Sequence, residues 1–240
     1  MPSIILTRTA DDNRESAHHF ESRGWRVFSA PMIELRAIPR DACGIRSVRR
    51  LAGGEPVLIT SAHAAELWLD MRETEFADDA PEAYYVVGRR SAEILRQADP
   101  DIPIRVVART GEELLATDFT GVARLLYPCS AERRDTLVEG LQARGIDLVD
   151  LPLYRPILPP DAAKRLDDAL AEAASPVVIA FYSPSAVRNF HSLAPVLPEH
   201  VRHAAIGATT AATLREIGIE PLVADSSGSQ ALSELLDSLL

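Results

Sequence analysis

The chain says nearly everything twice. SRGWRVFSAPMIE, around Arg23-Gly24, returns as ARGIDLVDLPLYR around Arg144-Gly145, and ITSAHAAE at Ser61 returns as YSPSAVRN at Ser183. VVGRRSAEIL at Gly88 is matched by AIGATTAATL at Gly207, and TGEELL at Gly111 by SGSQAL at Gly228. The matches keep one order and a nearly constant spacing, so the chain reads as two copies of one supersecondary unit. Within each copy, short apolar runs alternate with amphipathic stretches, the pattern of a parallel sheet covered by helices. Strands are expected at 3–7, 25–29, 56–60, 84–88, 104–108, 124–128, 147–151, 177–182, 204–207 and 221–224. Helices are expected over 61–69, 91–97, 130–144 and 209–217, with Gly24, Gly145 and Gly218 as left-handed stops. The proline-bearing segments 33–42 and 154–163 occupy matching places and suit extended connectors. Each copy is thus a five-strand α/β unit, and a cut near residue 120 is the simplest division.

Bulk properties exclude several functions. With 240 residues the chain can bury two cores, and a net charge of −10 without any basic run argues against nucleic-acid or anionic-membrane partners. The two cysteines, Cys43 and Cys129, are far apart; this suits a reducing compartment and offers neither a disulfide framework nor zinc spacing. The N-terminal apolar run is too short for a signal peptide or a bilayer span, so a cytoplasmic location is expected.

What repeats is concentrated where a strand hands over to a helix, the place where open α/β sheets bind ligands. Thr7, Arg8 and Thr9, Thr60 and Ser61, Gly88, Arg89, Arg90 and Ser91, Ser130, Ser183 and Ser185, and Gly207, Thr209 and Thr210 stand there. One such hydroxyl alone is more often a helix cap, and one such glycine a turn. Together they outline a surface for a large anion. Other chemistry is missing from the sequence: Gly88 and Gly207 lack dinucleotide or phosphate-loop spacing, and FYSPSA is not a hydrolase elbow. His18-His19 and the pair His200 and His203 read as surface decoration, and no metal set is apparent.

The series ITSAHA, YYVVG, LLYPCSAERRDTL, LVDLPLYRP, FYSPSAV and AAIGATTAATLREIG resembles the uroporphyrinogen-III synthase family over essentially the whole chain. Ala62 and Ala208 stand where that family often has proline, at positions that shape a turn. The resemblance implies two flavodoxin-like lobes with parallel five-stranded sheets joined by a two-stranded linker. Residues 1–36 with 157–240 would form one lobe and 37–156 the other. The connectors near 33–40 and 154–160 would form the linker, with the active-site cleft between the lobes. It implies a hydro-lyase that cyclises hydroxymethylbilane to uroporphyrinogen III, inverting ring D and losing water, by positioning rather than with a cofactor or metal. Electron-rich pyrroles expel the hydroxyl unaided, so geometry is what the protein must add. The resemblance gives Tyr154 the catalytic role. Thr60, Ser61, Gly88, Arg89, Ser130, Ser183, Thr209, Thr210 and Arg8 would bind substrate. Because the substrate is a polycarboxylate, several of Arg8, Arg89, Arg90, Arg133, Arg134 and Arg188 are expected to line the cleft. A monomer with transient contact to the upstream hydroxymethylbilane synthase is expected. The alternative is a non-catalytic two-lobed small-molecule binding protein. A receiver-like module would need acidic residues where SIILTRTADD has Thr-Arg-Thr, and a nucleotide transferase would need phosphate-loop glycines.

Overall fold

In the computed structural model, which describes residues 1–44, 54–76, 80–132, 135–224 and 228–237, strands and helices alternate throughout. The chain opens with β1 (Ser3–Leu6), α1 (Ala10–Glu21), β2 (Arg26–Ser29) and β3 (Glu34–Ala37). It continues through β4 (Val57–Ile59), α2 (Ala62–Glu75), β5 (Tyr84–Val87), α3 (Arg89–Ala98), β6 (Ile104–Ala108) and α4 (Gly111–Leu115). Then come β7 (Arg124–Ser130), α5 (Asp135–Ala143), β8 (Asp147–Ile157), α6 (Ala162–Glu172) and β9 (Val177–Phe181). The last elements are α7 (Pro184–Ser192), β10 (Val201–Ala205), α8 (Ala208–Glu216), β11 (Leu222–Val223) and α9 (Ser229–Leu236).

The strands form two sheets. One has five strands in the order β2-β1-β9-β10-β11, all parallel. The other is mixed and has six, in the order β3-β8-β7-β4-β5-β6, where the pairings from β8 through β6 are parallel. Counted from β1 in the first sheet and from β7 in the second, both follow the flavodoxin-type order 2-1-3-4-5. The first sheet therefore takes two strands from the first copy and three from the second, and the second sheet takes four from the first copy and two from the second. A cut near residue 120 would sever both β1 from β9 and β4 from β7. Contacts group Met1–Leu35 with Ile157–Leu240 as one unit and Arg36–Pro156 as the second. The sixth strand comes from the first connector: β3 lies beside β8, and the Ile38 N–H donates to Leu153 O at 2.8 Å.

Both faces of each sheet are buried, as parallel sheets with helical crossovers require. Ile5, Ile179 and Phe181 point into one core of the first unit with Leu166, Phe190 and Leu214. Their neighbours Ile4, Leu6, Val178 and Ala180 point into the opposite core with Phe20, Trp25 and Leu232. That strict period of two explains why these strands read as unbroken apolar runs, and each large side chain so buried contributes roughly 1.5–3 kcal/mol. In the second unit Leu58, Tyr85, Leu125 and Tyr127 share a core with Leu114, Val138 and Leu141.

The duplication persists at the level of single hydrogen bonds. After α1 the Gly24 N–H reaches Glu21 O at 3.0 Å and the Trp25 N–H reaches Phe20 O at 3.1 Å. After α5 the Gly145 N–H reaches Gln142 O at 2.9 Å and the Ile146 N–H reaches Leu141 O at 3.1 Å. Both glycines have a positive φ, +82° and +77°, as a Schellman stop demands. Asn13 is a polar residue that the helical pattern does not single out. It is buried on α1, where its amide donates to Leu6 O (2.9 Å) and Ser29 Oγ (3.0 Å) and its oxygen accepts from the Arg8 N–H (3.0 Å). It thereby ties together the carboxyl ends of β1 and β2. Among the described residues no helix is long and apolar enough to cross a membrane.

One expectation is overturned here. His203 is not surface decoration beside His200; it lies in β10, its ring 6.1 Å from Phe181 and 6.0 Å from Phe190, with Nε2 buried and without a hydrogen-bond partner. Strand pairing with β9 decides its direction, and nothing in the local sequence pattern reports that pairing.

Candidate active site

In the second unit the strand order reverses between β7 and β4, and a crevice forms at the carboxyl ends of the strands on either side of such a switch point. A cavity of about 590 Å³ lies there. Its wall comprises Thr60 and Ser61 after β4, Val87 at the end of β5 and Thr110, Gly111, Glu112 and Leu115 around α4. Tyr127, Ser130, Glu132, Thr136, Leu137 and Tyr154 complete it.

Two adjacent hydroxyls organise the wall. Ser61 is the N-cap of α2, and its Oγ accepts the Ala64 N–H at 3.0 Å. The same oxygen lies 3.0 Å from the Tyr154 hydroxyl. Thr60 Oγ1 lies 3.1 Å from the Tyr127 hydroxyl. Tyr154 is 8 % exposed and Tyr127 5 %, so both side chains are largely enclosed in the wall. Burial raises the pKa of Tyr154, partly offset by the hydrogen bond from Ser61, and the phenol stays protonated at neutral pH. His63, on the first turn of α2, meets the Tyr154 ring edge-to-face at 4.8 Å.

β7 is longer than expected and carries Ser130 to the cavity beside Tyr154. The sequence pattern starts a helix at Ser130; instead β7 runs through Ser130, whose neighbour across the sheet is Tyr154. The register shifts between Cys129 and Ser130, where Cys129 faces Pro152. Pro152 has no N–H to give the ladder, and a bulge at such a position re-aims the following side chains. The Ala131 N–H then closes on Tyr154 O at 2.8 Å.

The structure brings Thr60, Ser61, Ser130 and Tyr154 to one cavity, whereas Gly88 and Arg89 of the same unit do not line it. Gly88 caps α3 with φ +93°, and Arg89 next to it is exposed and paired with Glu93 at 3.7 Å. Arg8, Ser183, Thr209 and Thr210 belong to the first unit. Arg8 reaches Ser16 (3.1 Å) and Asp12 (3.3 Å) and lies over the Tyr182 ring. Ser183 caps α7 through the Ala186 N–H (3.2 Å). Thr209 is exposed on α8, whereas Thr210 is buried. Arg188 is exposed, 3.5 Å from Ser185 Oγ, while Arg133 and Arg134 lie outside the described residues. Sequence reasoning missed Tyr127, Thr110, Thr136, Glu112 and Glu132. Thr110-Gly111 belongs to a repeated segment and could have been flagged, whereas Tyr127 is indistinguishable from a core strand residue.

The cavity's far wall depends on a close helix approach. A Cβ on Gly140 of α5 would sit 2.6 Å from Leu115 Cδ1 on α4. Gly140→Val is expected to lower the stability of the chain by about 1–3 kcal/mol, as overpacking does. Urea denaturation measures this, and an unchanged midpoint would show that Leu115 yields without cost.

Two doubly wound sheets, one carrying a hydroxyl-lined cavity at its switch point, define a two-sheet α/β protein. The profile of the uroporphyrinogen-III synthase HemD family matches residues 14–234. The chloroplastic uroporphyrinogen-III synthase of Oryza sativa subsp. japonica is 26 % identical over 232 residues, 92 % of this chain and 74 % of that one. The fold is shared with a mutant uroporphyrinogen III synthase of the extremely thermophilic bacterium Thermus thermophilus (TM-score 0.61, 20 % identity, 100 % of this chain and 97 % of that one). It is also shared with uroporphyrinogen-III synthetase of Helicobacter pylori 26695 (TM-score 0.66, 20 % identity, full coverage of both chains). The chain belongs to the uroporphyrinogen-III synthase HemD family and carries that hydro-lyase activity of tetrapyrrole biosynthesis.

Proposed function

We propose that the chain cyclises hydroxymethylbilane to uroporphyrinogen III, with inversion of ring D and loss of water, and that the cavity of the second unit receives the reacting end. The observation that carries this reading is the Tyr154 hydroxyl, held 3.0 Å from Ser61 Oγ on the cavity wall. Ser61 Oγ already accepts the Ala64 N–H, so its own proton is available to the Tyr154 oxygen. Tyr154 then directs its phenolic proton into the cavity, at the departing hydroxyl of the substrate. A neutral phenol whose pKa burial holds above the ordinary tyrosine value assists that departure by hydrogen bonding rather than by full proton transfer. Electron-rich pyrrole stabilises the resulting azafulvene cation, and the wall's task is to hold ring D so that attack falls on its substituted carbon. Thr60, Ser130, Thr110 and Thr136 supply hydroxyls, and the start of α2 supplies N–H groups, suited to substrate carboxylates. Arg8, Ser183 and Thr209, at strand ends of the first unit, are proposed as further carboxylate contacts.

The same reading makes the chain a monomer that takes its labile substrate from the synthase preceding it. It works in the cytoplasm, a compartment suited to the buried, unbridged Cys43 and Cys129. Incubation with enzymatically generated hydroxymethylbilane, followed by separation of isomers, tests the activity. The type III isomer should dominate. Formation of the type I isomer alone, at the spontaneous rate, would leave a two-lobed binding protein as the better reading.

A further inference from the structure

Tyr127 and Tyr154 stand on neighbouring strands, β7 and β8, and both line the cavity. Each hydroxyl is tied to one of two consecutive residues in a single turn, Tyr127 to Thr60 and Tyr154 to Ser61. Ser61 has little freedom, because its oxygen also caps α2 through the Ala64 N–H. Thr60 is the residue just before it, directly after β4. A β-branched side chain has few χ1 choices, so anchoring the Thr60 hydroxyl also restrains the backbone that carries Ser61.

From this arrangement we infer that Tyr127 is a positioning residue for the cyclisation: through Thr60 it fixes the β4–α2 turn, so that Ser61 holds the Tyr154 phenol in its working orientation. The inference rests on the role proposed above for Tyr154. The Tyr127 ring is packed in the core with Leu58, Tyr85 and Leu125, which a phenylalanine ring would reproduce. Its hydroxyl is not needed for that packing, and it lies 3.1 Å from Thr60 Oγ1 in the turn beneath the reacting phenol. A purely structural tyrosine would stabilise the chain whatever stood at position 154. A positioning tyrosine loses its effect on rate once the group it positions is gone.

The test is a double-mutant cycle of Tyr127→Phe, Tyr154→Phe and the pair, with kcat, KM and melting temperature read for each. Tyr127→Phe should lower kcat by about two- to tenfold, the size of one hydrogen bond's net contribution, and move KM by less than about twofold. In the Tyr154→Phe background the same change should have no further effect on kcat. Thr60→Val, which removes the connecting oxygen and a cavity hydroxyl together, should lower kcat at least as much as Tyr127→Phe, and Thr60→Ser, which keeps the oxygen, should lose less than Thr60→Val. Wild-type kcat for Tyr127→Phe beside a slow Tyr154→Phe would overturn the inference alone. So would losses that multiply in the double variant, or a fall in melting temperature without a change in kcat. Wild-type kcat for Tyr154→Phe would overturn the proposed site and this inference together.

Discussion

Tyr154→Phe is expected to fold and melt like the parent protein while losing about tenfold to a thousandfold in rate. That range is spanned by general-acid and oxyanion-type contacts. The change removes one oxygen from a side chain that is already 8 % exposed, so ring packing survives. What it removes is the bond to Ser61 and the phenolic proton. Ser61 keeps its cap on the Ala64 N–H, so α2 does not unravel. The product should remain the type III isomer, because isomer choice comes from how the substrate is folded against the whole wall. Rate and isomer ratio with hydroxymethylbilane give the answer. A well-folded Tyr154→Phe protein with parental turnover would assign this tyrosine to packing and return the leaving-group role to the hydroxyls and N–H groups of the strand ends.

Acid should destabilise the first unit through His203. Its pKa is lowered from 6.5 to about 4 by desolvation, since the ring lies against Phe181 and Phe190 and Nε2 is buried without a partner. The neutral ring is the form that the fold accepts, so the unfolded chain takes up the proton first as pH falls. The stability in question is fully present above pH 6.5 and is lost as pH drops from there towards 4, amounting to about 3 kcal/mol across that window. A His203→Gln variant cannot titrate there. The stability difference between parent and variant should therefore shift by about that amount between pH 7 and pH 4, in favour of the variant. Urea denaturation of both proteins at several pH values measures it. Parallel pH profiles would mean that the folded protein accommodates the imidazolium.

Much of the fold is legible along the chain because the physics behind it is local. Runs such as VVIAFY announce strands buried on both faces, and Gly24 and Gly145 announce left-handed helix stops. The hydroxyls at 60, 61 and 183 announce strand-to-helix turns, and Ser61 and Ser183 are indeed caps. Legibility fails where a neighbour distant in sequence decides the outcome. The local pattern begins a helix at Ser130, and pairing with β8 keeps that residue in a strand. The local pattern also puts His203 on the surface, and pairing with β9 turns it into a core. Tyr127 carries no signal at all, because a phenol in a core strand looks the same whether its hydroxyl is idle or tied to Thr60.

By itself the amino-acid sequence determined that this is a duplicated α/β chain and that its hydroxyls gather at strand ends. Alternation, capping and turn chemistry each act within a few residues, so they can be read along the chain. Only the tertiary structure decided which strands share a sheet, with β1 and β2 joining β9 to β11 and β7 and β8 joining β4 to β6. The two copies carry nearly equivalent edges, and pattern alone does not distinguish a strand's own copy from the other as its partner. That exchange sets β4 beside β7, and with it Thr60 within reach of Tyr127 and Ser61 within reach of Tyr154. The site arises from long-range strand pairing, and no local preference in the sequence encodes it.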